Sequence, residues 1–149
     1  MENVVIVSRI RTPIGIYGGM LRNVPVYKLG SLVLNEAVKR TGTEPAWVDN
    51  VIMGQSYQNG ESANAARMAL LEAGWPDEIP GVTLDRRCCS GLDAIFFGAM
   101  KMQTGNADII VAGGMDSMSS AELYIPGEIK WSSMKYKRHL LCRHLQMPD

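Results

Sequence analysis

Four features between residues 82 and 112 constrain the fold more than any other part of the sequence. A short apolar run at 82–84 leads into a turn that contains two adjacent cysteines, Cys88 and Cys89. Apolar residues then recur at helical spacing, and the unbroken apolar run 109–112 follows. Strand, helix and strand within about thirty residues is typical of a βαβ unit, which is nearly always parallel. The sequence therefore predicts an α/β fold with a mostly parallel sheet flanked by helices.

Two further strands are predicted outside this unit. Residues 4–7 form an apolar, β-branched run, which is typical of a strand buried on both faces. Residues 51–53, just before Gly54, form a second run of this kind. The first run is followed by a long loop, indicated by Pro13 and several glycines.

Three helices are predicted from apolar residues at helical spacing. The first ends at Gly42, which adopts the left-handed conformation of a C-cap without strain. The second is capped by Asn64 and closes at Gly74, and the third ends at Gly105. The residues predicted to face the core are Leu29, Leu32, Val33 and Ala37 in the first helix, Met68, Leu70 and Leu71 in the second, and Leu92, Ile95, Phe96 and Ala99 in the third.

Composition and charge argue against several classes of function. The chain has 149 residues, 46% of them hydrophobic and 20% charged, as in an ordinary globular domain. Its formal net charge is zero, so no broad basic surface indicates a nucleic-acid partner. The apolar start is too short to cross a membrane and lacks the basic segment of a secretion signal. We therefore expect a cytoplasmic protein without a membrane partner, and its three cysteines are expected to be reduced thiols.

The end of the chain differs in charge from the rest. Residues 1–129 contain ten Lys or Arg and fourteen Asp or Glu, whereas residues 130–149 contain five and one. His139, Cys142 and His144 lie in this basic segment. One cysteine and two histidines without a second cluster are a weak zinc signal, so no metal site is predicted. A solvated charged face is the favoured interpretation of the two histidines.

Cys88 lies where the predicted strand 82–84 gives way to a helix. The free N–H groups and the positive end of the helix dipole at such an entrance stabilise a thiolate, the nucleophilic form of cysteine. Ser90 and Gly91 are small, so a bulky thioester can approach the sulfur, and the same N–H groups can hold an oxyanion. The alternative is that the two cysteines are small apolar filler at a buried turn. Spacing alone leaves both interpretations open.

Several motifs carry a resemblance to a known family. Cys-Cys-Ser-Gly-Leu at 88–92 is followed by Ala-Gly-Gly-Met-Asp-Ser-Met-Ser at 112–119. Together they resemble the thiolase pattern of a nucleophilic cysteine, a small residue and Ser-Gly, followed by a GG-x-E-SMS turn. Arg-Thr-Pro-Ile-Gly at 11–15, Gly54 and Asn-Ala-Ala-Arg at 64–67 match further thiolase signatures in the family's order.

The resemblance covers residues 4–129 and implies the amino-terminal half of a thiolase. The fold that it implies is a layered α/β domain, one half of a two-half architecture, spanning residues 1–129 with a loop region that starts near 119–129. Residues 130–149 are predicted to be a divergent basic tail, as in a truncated or frame-shifted gene product. Such a half would lack its covering layer, so we expect a homo-oligomer or association with a complementing second thiolase half.

The resemblance also implies an activity. Thiolases are acyltransferases that move an acetyl or acyl group between CoA thioesters through a cysteine acyl-enzyme, in acetoacetyl-CoA formation or 3-ketoacyl-CoA cleavage in fatty acid metabolism. Cys88, three positions before Gly91, takes the place of the nucleophile, and the backbone of Cys88, Ser90 and Gly91 is expected to support the oxyanion. Cys89 takes the place of a packing residue. Acyl-CoA is the expected substrate, with no cofactor and no metal.

Two alternatives remain at this point. The family's histidine, second cysteine and Asn-linked oxyanion site belong to its second half, and neither His139 nor His144 stands in a thiolase context. One alternative is therefore a catalytically incomplete thiolase fragment that acts only in binding or association. The other is a ketoacyl synthase relative, which shares the fold and a cysteine at a helix entrance but not the GG-x-E-SMS turn.

Three residues depart from the thiolase pattern. Asp85 stands where Asn is common, Ala65 replaces a Pro, and Asp116 replaces a Glu. A carboxylate at position 85 disfavours a thiolate nearby, so we expect blunted reactivity. Arg86 and Arg87 favour a thiolate if they point inward, but paired arginines more often form a solvated face.

Overall fold

The computed structural model describes residues 3–60 and 62–123. Within them, three parallel strands form one sheet in the order β2-β1-β3: β1 (Asn50–Gly54), β2 (Gly81–Leu84) and β3 (Ile110–Gly114). The helices are α1 (Val26–Thr41), α2 (Ala65–Glu72) and α3 (Ser90–Gln103), with short 3-10 turns at Pro45–Trp47 and Met118–Ser120. The predicted α/β class and the strands predicted at 51–53, 82–84 and 109–112 are confirmed.

The central strand β1 is buried along its whole length because helices cover both faces of the sheet there. Val51 and Met53 belong to the apolar core that β1 shares with α1 and α2. Neighbouring side chains of a strand point to opposite faces, so Ile52, which is 1% exposed, faces α3. Gly54 follows on that same face, directly beneath the start of α3.

Helix α1 has the predicted end but a different buried face. Gly42 has φ of 66° and forms the left-handed C-cap. The buried row contains Gly30 and Leu34, whereas Leu32, predicted to face the core, is 63% exposed. A Cβ at position 30 would lie 2.9 Å from the Cβ of Ala69, so the helix pair meets where α1 has no side chain.

Helix α2 begins and ends as predicted. The Asn64 side chain accepts a hydrogen bond from the Arg67 N–H at 3.1 Å, and Gly74 has φ of 74°. Leu70 is fully buried, as expected, but Leu71 is 42% exposed. The cap was visible in the sequence because Asn at this position supplies the acceptor that a helix start lacks.

Helix α3 also starts and ends as predicted, but its apolar face points away from the sheet. Its buried residues are Ser90, Ala94 and Gly98. Leu92 and Phe96, predicted to face the core, are 56% and 57% exposed. Small residues form the sheet-facing side of α3 because they let the helix axis approach the strands closely.

The strand predicted at 4–7 is wrong. Residues 3–16 have no regular secondary structure, and Val5 and Ile6 are 70% and 78% exposed. A strand exists only through hydrogen bonds to a neighbour, and none of the described strands pairs with this segment. Strand β3, whose residues are at most half-buried, pairs only with β1 among the described residues.

Two remaining sequence-based expectations concern the ends of the chain. In the part of the chain that the structure describes, no helix is both long and apolar enough to cross a membrane. The predicted basic tail at 130–149, with both histidines and Cys142, lies outside the described residues.

Candidate functional site

Three loops meet at the carboxyl edge of the sheet, where ligands commonly bind in α/β proteins. They follow β1, β2 and β3 directly. The carboxylate of Asp116, after β3, accepts hydrogen bonds from the N–H groups of Ser56 at 3.0 Å and Tyr57 at 2.9 Å, after β1. The substitution of Asp for the usual Glu at this position therefore preserves a carboxylate that joins two of the loops.

The turn between β2 and α3 is organised around the carbonyl of Arg87. The Ser56 Oγ and the Ser90 Oγ each donate to this oxygen at 2.6 Å, and the Ser90 N–H donates to it at 3.0 Å. The Ser90 Oγ in turn accepts from the Arg86 N–H at 2.7 Å. Ser90 is 3% exposed, so its hydroxyl is a buried support for the chain on both sides of Cys88.

Arg87 has a backbone conformation that side chains disfavour. Its φ is 51°, the only positive value at a non-glycine residue among the described residues. The left-handed region costs such a residue about 1–2 kcal/mol. Strain of this size is retained where surrounding contacts over-determine the backbone, and such places cluster at functional sites.

Both arginines before the cysteines form ion pairs. Arg87 Nη1 lies 2.9 Å from Asp85 Oδ2 and also donates to the Ser56 carbonyl at 2.9 Å. Arg86 Nε lies 2.6 Å from Asp93 Oδ2 in the first turn of α3. The two arginine side chains are 70% and 64% exposed, for Arg86 and Arg87, so the expected solvated face is confirmed. The Asp85 carboxylate, expected to oppose a thiolate, is partnered by a guanidinium.

Cys88 and Cys89 are both free and exposed. Cys88 immediately precedes the helix entrance, as predicted, and Cys89 is the N-cap residue of α3. Cys89, predicted to be a packing residue, is exposed among the described residues. Arg87, in the left-handed conformation, directly precedes the two thiols.

The backbone donors at the helix entrance differ in availability. The Ser90 N–H is occupied by the Arg87 carbonyl, whereas the Gly91 N–H makes no hydrogen bond within the described part of the chain. The predicted oxyanion support from Cys88, Ser90 and Gly91 stays a prediction. In the structure Ser90 supports the turn through its hydroxyl, and the N–H groups of Cys88 and Gly91 make no hydrogen bond with the described residues.

Gly54 is required by the close approach of α3 to the sheet. A Cβ at this position would lie 2.3 Å from the carbonyl carbon of Ser90 and 2.5 Å from the Gly91 nitrogen. The sequence motif contained Gly54 but gave no reason for it. Ser56 and Arg87 were not predicted as site residues, and no local pattern signals them, because their contacts join loops far apart in the chain.

In the described part of the chain, the cysteine turn is separate from the surface cavity near β3 and holds no cluster of metal ligands. A surface cavity of about 500 Å³ lies between the 10–17 segment and the end of β3, and Cys88 does not line it. Within residues 3–60 and 62–123 no group of three or more His, Cys, Asp or Glu side chains is arranged to hold a metal ion. The exposed thiol and the turn that presents it therefore form the candidate site.

Comparison with known proteins decides the family. The sequence profile described as "Thiolase, N-terminal domain" matches residues 4–146. The chain belongs to the thiolase N-terminal domain family. Thiolase relatives include an acetyl-CoA acetyltransferase of Cupriavidus necator, 42% identical over 127 residues, which are 85% of this chain and 32% of that protein. A probable acetyl-CoA acyltransferase of Staphylococcus aureus is 38% identical over 125 residues, 84% of this chain and 32% of that protein.

A solved thiolase structure shares the fold. The crystal structure of the Bacillus anthracis acetyl-CoA acetyltransferase matches with a TM-score of 0.75 and 42% sequence identity, covering 94% of this chain and 33% of that chain. The match confirms the predicted thiolase-like fold. The chain spans about a third of the length of the curated relatives, 32% in both. The alternative of a ketoacyl synthase relative receives no support from these matches.

Proposed function

We propose that this chain carries the acyl-accepting step of a thiolase-type acyltransferase, with Cys88 as the nucleophile and an acyl-CoA as the substrate. The observation that carries the proposal is an exposed thiol at the entrance of α3, in a member of a family whose relatives are named acetyl-CoA acetyltransferase. An exposed cysteine at a helix start has the environment that favours a reactive thiolate.

The proposed step is an exchange of thioesters. The Cys88 sulfur attacks the carbonyl carbon of the acyl-CoA, a new carbon–sulfur bond forms, and the bond from that carbon to the CoA sulfur breaks. The proton that the Cys88 thiol gives up ends on the released CoA. The N–H groups of Cys88 and Gly91 are the donors proposed to hold the oxyanion of the tetrahedral intermediate, since the Ser90 N–H already has a partner.

The test is the amount of CoA released when the purified chain is mixed with acetyl-CoA. We expect one equivalent of CoA per chain, measured by chromatography, together with the mass of one added acetyl group. Cys88→Ala should release none. Cys89→Ala is the matched control, because it removes the adjacent exposed thiol and should leave the release unchanged. Equal release from the Cys88→Ala variant and the parent would refute the proposal.

A second candidate function is association without turnover. The apolar face of α3 points to solvent. This observation favours a chain that associates through that face, with Cys88 acylated once and the acyl group not passed on. Steady formation of acetoacetyl-CoA by this chain alone would contradict it. The partners proposed are an acyl-CoA and either a second copy or a complementing thiolase half.

A further inference from the structure

We propose that Arg87 is a positioning residue for the Cys88 sulfur, acting through the turn that precedes α3 and through the Asp85 carboxylate. The proposal rests on the proposed function, because it concerns the reactivity of the thiol that is taken to accept the acyl group. It assigns a role to the residue before the nucleophile, which neither the motifs nor the family match singled out.

The first line of evidence is the backbone of Arg87. Its φ of 51° is a left-handed value in the turn between β2 and α3, and the next residue, Cys88, is exposed at the helix entrance. The carbonyl of Arg87 accepts hydrogen bonds from two hydroxyls, those of Ser56 and Ser90, each at 2.6 Å. Its direction is therefore fixed from two sides, one of them the loop after β1.

The second line of evidence is the side chain. One nitrogen, Nη1, bonds both the Asp85 carboxylate and the Ser56 carbonyl, each at 2.9 Å. The other oxygen of Asp85 accepts the Arg87 N–H at 2.9 Å. An exposed ion pair is weak alone, but here the same residue supplies the guanidinium, the N–H and the disfavoured backbone. The side chain thus ties the strained turn to two neighbouring segments.

The third line of evidence is local charge. Asp85 stands three residues before Cys88, and an uncompensated carboxylate near a thiol disfavours the thiolate. Paired with Arg87, the carboxylate is compensated. Removing the guanidinium should therefore weaken Cys88 as a nucleophile in two separable ways, by loosening its position and by exposing it to a negative charge.

The experiment measures the rate at which iodoacetamide alkylates Cys88 in the full chain, and peptide mass spectrometry separates Cys88 from the other thiols. Rates are measured near pH 7 and near pH 10, because an ordinary thiol is largely ionised only at about pH 10. If Arg87 acts through its charge, its removal should change the alkylation rate near pH 7 and have little effect near pH 10. If Arg87 acts by positioning the sulfur, its removal should change the rate at both pH values. Cys89 is the internal control, because it is exposed in the same turn.

Four variants separate the contributions. Arg87→Ala should slow Cys88 alkylation near pH 7 by up to about fivefold, the most that an exposed charge pair contributes. Adding Asp85→Asn to Arg87→Ala should restore the rate to within about twofold of the parent, because the uncompensated charge is gone. Arg87→Gly retains the left-handed backbone and should show the charge effect alone. Arg87→Lys retains the charge and should show the smallest loss near pH 7.

The outcomes decide the proposal in either direction. It is overturned if Arg87→Ala, folded by circular dichroism, alkylates at the parent rate at both pH values, or if Asp85→Asn restores nothing. If Arg87→Ala does not fold, the alkylation rates of Arg87→Gly, which lacks the charge, and Arg87→Lys, which retains it, are compared instead. Equal rates near pH 7 would then overturn the proposal. Alkylation uses no acyl-CoA, so the two proposals can fail separately. If Cys88 is not acylated but the Arg87 variants alkylate as expected, the proposed function is refuted and this inference is not.

Discussion

At the scale of single residues, the Ser90 hydroxyl is the buried group on which the nucleophile turn depends most. It donates to the Arg87 carbonyl and accepts from the Arg86 N–H. Ser90→Ala leaves both groups without this partner, so we expect a loss of about 1–3 kcal/mol in the free energy of unfolding, measured by urea denaturation. Thr104→Ala, at the exposed far end of α3, is the control and should cost less. An equal loss in both variants would contradict the role of Ser90.

Gly54 gives a second prediction at the residue scale. A Cβ there would lie 2.3 Å from the Ser90 backbone, which no side-chain adjustment relieves. Gly54→Ala should therefore displace the start of α3 and cost about 1–3 kcal/mol of stability by overpacking, measured by thermal unfolding. Gly113→Ala in β3 is the matched control, since a Cβ there meets Met53 Sδ at an ordinary 3.6 Å. A variant as stable as this control would show that α3 does not lie so close.

Some properties of single residues at the site follow from the local sequence, and others depend on distant contacts. The position of Cys88 at a helix entrance follows from local patterns, since a strand, a turn and a helix are each visible in the sequence. The left-handed conformation of Arg87, just before it, does not follow from any local pattern. That conformation is held by contacts with Ser56, which is thirty-one residues away in the chain.

At the scale of elements, helix ends were predictable and helix faces were not. Gly42 and Gly105 end α1 and α3 in the left-handed conformation, as their chemistry requires. The buried face of α3 is set by Ala94 and Gly98, which a search for large apolar residues passes over. The segment 4–7 has the composition of a strand, yet composition cannot supply the neighbour that a strand needs.

The start of β3 offers a pH-dependent test. The Asp49 carboxylate accepts hydrogen bonds from the N–H groups of Ile109 at 2.9 Å and Asp108 at 2.7 Å. These bonds, that from Ile109 foremost, hold the pKa of Asp49 below its ordinary value. A lowered native pKa means that the contribution is complete above the unfolded value of about 3.9 and is lost as the pH falls through the native value.

Asp49→Asn should therefore destabilise the chain at pH 7 by about 1 kcal/mol, allowing for the exposure of the carboxylate. The difference from the parent should shrink as the pH is lowered below about 3.9, because the parent then loses the charged form as well. Urea denaturation of the parent and the variant, at pH 7 and at a pH below about 3.9, measures this difference in stability. Asp108→Asn leaves the backbone donor in place and is the control. A difference that grows with acidification would contradict the assigned bonds.

At the scale of the whole molecule, the apolar side of α3 has no covering layer among the described residues. Its exposed residues include Leu92, Ile95, Phe96, Phe97 and Met100. A contiguous apolar patch of this kind is typical of an association surface. The sequence predicted association because the domain would lack its covering layer, although it placed Leu92, Ile95 and Phe96 in the core.

Phe96→Ser should reduce concentration-dependent self-association, measured by sedimentation velocity, because it removes the most exposed aromatic side chain of that face. Leu32→Ser is the matched control. It removes an equally exposed apolar residue on α1, away from the face of α3, and should leave association unchanged. Equal effects of the two substitutions would show that association, if present, uses no particular face.

Cys88, and not its neighbour Cys89, is the thiol proposed to accept the acyl group. The most direct measurement is tandem mass spectrometry of the peptide that contains both cysteines, after the intact chain has been mixed with acetyl-CoA and quenched at low pH. The thiolase interpretation predicts a thioester-linked acetyl group on Cys88 alone, removable by hydroxylamine. Acetylation of Cys89 instead, or of both thiols equally, would contradict it.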